Sequence, residues 1–190
     1  MSDKLGWFDR WFLKKFKKVW DWHSNQVVYT SASSGLRPVN PPYSNHFNGD
    51  NGLFIHESGS TGATINNSEF NHNGQTNLIL RYVGGLVNFD HVSAIDSQGD
   101  YGAALHLSPS GQFHDTDGNY SLNASAGLHF FNTGDVTLTR TVADANGSDG
   151  VEAQDGIAGD LLVQGSRFRN NGGMGMEMLH ANSVVFESVG

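Results

Sequence analysis

Four residues of the chain have the types and spacing for chemistry: His106, His129, Glu152 and Glu177. Each sits between two apolar or small residues, as His106 does between Leu105 and Leu107. In an extended strand those neighbours point one way and the central residue the other. If the four strands stack, the four side chains form one outward column with neighbours about 4.8 Å apart. Phe54 and Ile79 continue it at the other end. Imidazole and carboxylate together suit a divalent metal, proton transfer or a polar ligand. Glu152 and Glu177 would also stand near the separation of about 5–5.5 Å used by retaining glycosidases. All four are therefore ligand-binding candidates, and Glu152, Glu177 and His129 are candidates for catalysis. A solvated sheet face accounts for the same residues, since outward positions are ordinarily polar.

A second group lies in "NFDHV" and "QFHDTDG", which hold Asp90, His91, His114, Asp115 and Asp117. In "DTDGN", Asp115, Asp117 and Asn119 alternate beside Gly118, which has the flavour of a calcium loop. The closing Glu of a full calcium loop is missing, and an ordinary Asp/Gly turn reads the same way. No cofactor is required, and Ca2+ is the one that these residues would admit. The segment "SPSGQFHDTDGNYS" is expected to bulge from the body, where solenoids often carry binding sites.

The elements that position these residues recur. "NGLFIHE", "TNLILRY", "AALHLSP", "GLHFFNT", "GVEAQDG" and "GMEMLHA" are short apolar strands. Their first inward residues are read as Leu53, Leu78, Leu105, Leu128, Val151 and Met176, spaced by 25, 27, 23, 23 and 25. A second strand follows each: "GATIN", "GLVNF", "GQFHD", "DVTLT", "DLLVQ" and "NSVVF". No such strand buries its apolar side alone, whereas stacked coils share a continuous core. Asn73, Asp96, Asn123, Asn146 and Asn171 fall shortly before the next coil. Asn tolerates the left-handed angles of a sharp corner, and stacked Asn side chains can bond as a ladder. The period favours a solenoid over an antiparallel sandwich or barrel.

"NNGGMGMEMLHANSVVFESVG" and "FNHNGQTNLILRYVGGLVNFDHV" resemble repeats of the pectate-lyase-like, right-handed parallel β-helix superfamily, and the resemblance spans about residues 48–190. It implies an all-β fold, a right-handed parallel β-helix of about six coils. That superfamily includes polysaccharide lyases, glycoside hydrolases, uronate epimerases, tailspikes, adhesins and structural rods. Its lyase sites need a basic group, but the rod has five arginines and no lysine. The His-Gly pattern of polygalacturonases and the Asp-Pro-His-Asp motif of mannuronan epimerases are absent. No catalytic residue carries over.

Charge divides the chain. Residues 1–22 carry a net +3 and the remaining 168 a net −11. An acidic body repels phosphate backbones, which excludes nucleic acid as its partner. The sequence predicts an amphipathic helix from about residue 4 to 22, with Leu5, Phe8, Phe12, Phe16 and Val19 on one stripe. All four tryptophans lie there too. Such a segment caps an open solenoid end or lies on an anionic membrane. Residues 23–49 read as an extended linker with a strand at "QVVYT", and 50–190 as the β-helix. The last strand, "SVVFESV", has no capping element, so end-to-end self-association through the C-terminal coil is expected.

These features predict a non-enzymatic scaffold of a surface, secreted or filament-type protein, binding glycan or protein along one face. The alternative is a carbohydrate-active enzyme: a lyase, hydrolase or epimerase. The placement outside the cell rests on composition, with no cysteine and many Gly, Asn and Asp, since no signal peptide is visible.

Overall fold

The computed structural model of the chain describes residues 17–21, 26–30, 46–56 and 62–190. Strands β1 (Lys17–Asp21) and β2 (Gln26–Thr30) pair antiparallel. Each turn of the rod then supplies two strands. They are β3 (Leu53–His56) and β4 (Gly62–Glu69), β5 (Leu78–Val83) and β6 (Leu86–Ser93), and β7 (Ala103–Leu107) and β8 (Gln112–Thr116). After these come β9 (Leu128–Phe131) and β10 (Val136–Thr139), β11 (Val151–Ala153) and β12 (Asp160–Gln164), and β13 (Met176–Met178) and β14 (Ser183–Glu187). The odd-numbered strands from β3 to β13 form one parallel sheet, extended by β2 and β1, and the even-numbered strands from β4 to β14 form the other. The rod makes about five turns, because six strand levels are joined by five steps. The expectation from sequence is about six coils.

Lys17–Asp21, the end of the expected N-terminal helix, is a strand. Val19 faces Val28 and Trp20 faces Val27 across the pair, and β-branched and aromatic residues favour this pleated setting. Residues 4–16 and 22 of that helix lie outside the described residues, and no helix occurs among those described.

Inward side chains stack in columns. Leu53, Leu78, Ala103, Leu128, Val151 and Met176 form the first, and Ile55, Leu80, Leu105, Phe130, Ala153 and Met178 the second. Coil three therefore begins at Ala103, not at Leu105. Leu105 and Ala103 share a strand face, so inward and outward stay correct while the register shifts by two residues. The second sheet contributes Ala63, Val87, Phe113, Val136 and Leu161, and a third face adds Phe70, Ala94, Tyr120 and Ala143.

Inside one corner runs an asparagine ladder. Asn48 donates to the Oδ1 of Asn73, Asn123 to that of Asn146, and Asn146 to that of Asn171. The missing rung is Ser97, whose N–H donates to Asn123 Oδ1 but whose side chain is too short to reach back. Asn77 fills the gap. Its Oδ1 accepts from the backbone N–H and Nδ2 of Asn73, and its Nδ2 donates to Asn123 Oδ1. Asp96, the residue expected in the ladder, lies one place earlier and meets His72 at 3.0 Å on the surface.

The left-handed corner residues are those just before the ladder: Phe47, His72, Asp96, Leu122, Ala145 and Asn170. A second left-handed column, Asn67, His91, Asp117, Arg140, Gly165 and Ser188, borders the other sheet. The ladder Asn must aim its side chain along the rod, so its predecessor takes the corner. Ala145 is exposed with φ of 56°, so its Cβ carries strain without packing. The strain is about 1–2 kcal/mol, against about 0.5–1 kcal/mol for glycine's entropy. Ala145→Gly is therefore expected to raise Tm by about 2 °C, contrary to the usual effect of Ala→Gly. A thermal scan showing a fall would remove strain as a feature of this corner.

Candidate outer-face site on the first sheet

Two outward columns cross the first sheet. One runs Phe54, Ile79, Ala104, His129, Glu152, Glu177. The other runs His56, Arg81, His106, Phe131. Three of the four expected column residues, His129, Glu152 and Glu177, are thus in register on consecutive strands. His106 is not, because the shift at coil three places Ala104 opposite His129. His106 returns to the site by stacking instead. The Phe131 ring lies between His106 at 3.8 Å and His129 at 3.9 Å, nearly parallel to both. Tyr101 meets His129 edge-on at 4.4 Å.

These rings bury the imidazole of His129, whose side chain is only 2% exposed. Burial above all, then the His106 charge, pushes its pKa down to about 4, against the pull of Asp155 and Asp149. The ring is neutral at pH 7. Its Nδ1 lies 3.0 Å from Glu152 Oε2, yet neither ring nitrogen makes a hydrogen bond. The contact is therefore not a salt bridge, and it is too bent for a hydrogen bond.

Glu152 is also buried. Burial and the charges of Asp149 and Glu177 raise its pKa, while a hydrogen bond from Gln154 opposes the rise. Asp149, Glu152 and Glu177 each bring a carboxylate oxygen within 4.8 Å of the others. Asp149 stands in the turn before β11, where it accepts from Met174 N–H. Sequence reasoning missed Asp149 and Tyr101. Both precede the glycine that opens a first strand, at Gly150 and Gly102, and that recurrent place was the available signal. Burial, with added repulsion from Asp100 and Glu152, pushes the Tyr101 hydroxyl up to about 12. The site thus holds a neutral imidazole, a carboxyl poised above its ordinary range and two further carboxylates. Such a set can ligate a cation or exchange protons.

The second group separates. Asp115 points into the rod, in line with Phe89 and Leu138, and accepts hydrogen bonds from Tyr120 Oη at 2.8 Å and Thr141 Oγ1 at 2.5 Å. Asp117 points out and is held by both Nε and Nη2 of Arg140 at 2.7 Å, which keeps its carboxyl below the usual range. Asn119 is exposed and bridges Ser93 and Val142 through its backbone. The three expected calcium ligands therefore share no coordination sphere, because β8 ends at Thr116 and the left-handed backbone of Asp117 breaks the alternation that would have kept them on one face. The expected bulge is absent too. Gln112–Thr116 is a regular rung between β6 and β10, and the hydroxyls around Asp115 let a carboxyl occupy a core position. On the surface, His91 lies 2.8 Å from Asp90 and 3.7 Å from Asp117. His114 pairs with Asn88 and Thr137 in the second sheet, on the opposite strand face from Asp115.

Residues 43–188 match the right-handed β-helix region, and the chain belongs to that family. No curated protein and no solved structure matches the chain.

Proposed function

We propose that the chain is a non-enzymatic β-helix scaffold of a surface, secreted or filament-type protein, whose first sheet presents its outer face to a glycan. The observation that carries this is the half-buried set of rings on that face. Phe54, His106 and Phe131 lie on a straight parallel sheet, with Arg81 5.5 Å above the Phe54 ring. Rings with apolar faces beside a few polar groups suit sugar or protein contact. A glycan-array screen of the folded chain should find a ligand, and Phe131→Ala should weaken it by about tenfold or more, as hot-spot aromatic truncations do. An array without hits, or binding indifferent to Phe131, would count against the reading.

A carbohydrate-active enzyme is the second reading, favoured by the raised carboxyl of Glu152 in register with Glu177. Reducing-sugar or unsaturated-uronate release that is lost in Glu152→Gln would replace the scaffold reading. The aromatic, basic residues 4–16 would tether such a scaffold to an anionic membrane. Failure of the chain to sediment with anionic vesicles removes that role.

A further inference from the structure

We propose that Asn171 is a site of spontaneous covalent modification, where the folded chain converts one ladder amide to aspartate and isoaspartate. This site is independent of the glycan face. The ladder asparagines Asn48, Asn73, Asn146 and Asn171 are each followed by glycine. Stacking of the turns imposes that glycine at three of them. A Cβ at Gly74 would sit 2.5 Å from the Gly49 carbonyl oxygen, one at Gly147 2.1 Å from that of Ala124, and one at Gly172 2.2 Å from that of Gly147. Asparagine is a thermolabile residue. A following glycine makes it more so, because no side chain shields the glycine nitrogen and its backbone turns freely toward the asparagine side chain. The ladder thus builds a labile dipeptide into its own corner.

The step needs only water. The Gly172 amide nitrogen attacks Cγ of Asn171 and loses its proton to solvent base. As the new N–Cγ bond forms, the Cγ–Nδ2 bond breaks, and Nδ2 leaves as ammonia with a proton from water. The cyclic imide then takes up one water. Opening at Cγ gives aspartate. Opening at the main-chain carbonyl gives isoaspartate, whose chain runs through Cβ and Cγ.

The hydrogen bonds single out Asn171 among these rungs. At Asn48, Asn73 and Asn146 the nitrogen that must leave donates to another Oδ1, that of Asn73, Asn77 and Asn171 in turn, and all three asparagines are buried. At Asn171 it donates to the main-chain oxygen of Ala143 at 3.1 Å, and the residue is half-buried. The Gly172 N–H donates to Asn146 O at 2.8 Å, so the turn must open locally before the attack. Opening at Asn146 breaks rungs on both sides, to Asn123 and to Asn171. Opening at Asn171 breaks the rung to Asn146 alone. The product fits there too. Along the ladder Asn171 only accepts, from the N–H and Nδ2 of Asn146, and a carboxylate accepts the same bonds. A carboxylate at position 48, 73 or 146 would instead face an oxygen across the gap that an N–H now bridges.

The test incubates the folded full chain in mildly alkaline buffer at physiological temperature, beside a sample in urea. Peptide mapping by mass spectrometry, with electron-transfer fragmentation, reads amide loss at each rung and tells aspartate from isoaspartate. In the folded chain, conversion at Asn171 should run about tenfold or more ahead of Asn48, Asn73 and Asn146, since each is gated by its own local opening. In urea the four should convert at similar rates. Asn171→Asp, which stands for one product, should lower Tm by about 3 °C, and Asn146→Asp by about twice as much or more. The proposal is overturned if folded Asn171 stays an amide while the urea sample converts, or if the other rungs keep pace with it in the folded chain. It is also overturned if its lead persists undiminished in urea, or if Asn171→Asp destabilises more than Asn146→Asp.

Discussion

In urea unfolding from pH 4 to pH 7.5 with a chelator present, Asp115→Asn is expected to gain stability over the wild type as pH rises, and His129→Gln as pH falls. Asp115 lies in the core, where burial raises its pKa from 3.8 to about 6 despite hydrogen bonds from Thr141 and Tyr120. The folded chain therefore holds this proton more tightly than the unfolded chain does. Stability from the protonated carboxyl is complete below about pH 4 and is lost as pH rises through about 6. A shift of about two units corresponds to about 3 kcal/mol. Asparagine keeps the shape, still accepts from Tyr120, and has no charge to desolvate. The gain of the variant over the wild type should thus grow by up to about 3 kcal/mol across the window.

His129 has the opposite sign. Its pKa falls from 6.5 to about 4, so the unfolded chain binds the proton more tightly. Stability is full above about pH 6.5 and declines as pH falls toward 4, again by about 3 kcal/mol at most. Glutamine does not titrate, so its advantage should appear at the acid end. In the wild type the two slopes oppose each other and flatten the profile. Variant curves that run parallel to the wild type would show that neither group is held in the state described.

The second large effect is a coupling between Asn77 and Ser97. Elsewhere the residue opening the first strand is glycine, because the ladder Asn closing that turn occupies the space. A Cβ at Gly52 would sit 2.5 Å from Asn73 Nδ2, and one at Gly102 2.6 Å from Asn123 Nδ2. At the third level the ladder residue is Ser97, which leaves room for a side chain at position 77. Asn77→Gly would remove the acceptor that Asn77 Oδ1 offers to the buried N–H and Nδ2 of Asn73, at about 1–3 kcal/mol. Ser97→Asn alone would crowd Asn77 and cost about 1–3 kcal/mol. The double variant restores the arrangement of the other turns, so it is expected within about 1 kcal/mol of the wild type, a coupling of about 3 kcal/mol. Additive losses in a double-mutant cycle by chemical denaturation would show that Asn77 does not stand in for a rung.

The period of the rod was legible because its strands carry branched or bulky inward residues at every level but one. That exception, the inward Ala103, gives a weak apolar signal, and Leu105 two places on has the same parity. The eye therefore settles on Leu105, and His106 slides into the wrong column. Asp115 misled for a related reason. Its partners lie 5 and 26 residues away, so its alternate spacing with Asp117 looks like a ligand set until the core hydroxyls are placed. His129, Glu152 and Glu177 were legible as a column because all three strands follow the plain alternation. The burial of His129 was not, since it comes from Tyr101 and Phe131, whose rings pack against the imidazole.

The asparagine ladder gives the rod a direction. At every rung the donors belong to the earlier turn and the acceptor to the later one. The side-chain amides are therefore aligned head to tail, with their N–H ends toward the C-terminal coil. A twofold pairing of two such ends would set donor against donor and break the column. Whatever extends it must arrive in the same sense, acceptor first. A second copy joined in that sense would make a heterologous contact, which closes into a ring or repeats along an axis according to its rotation.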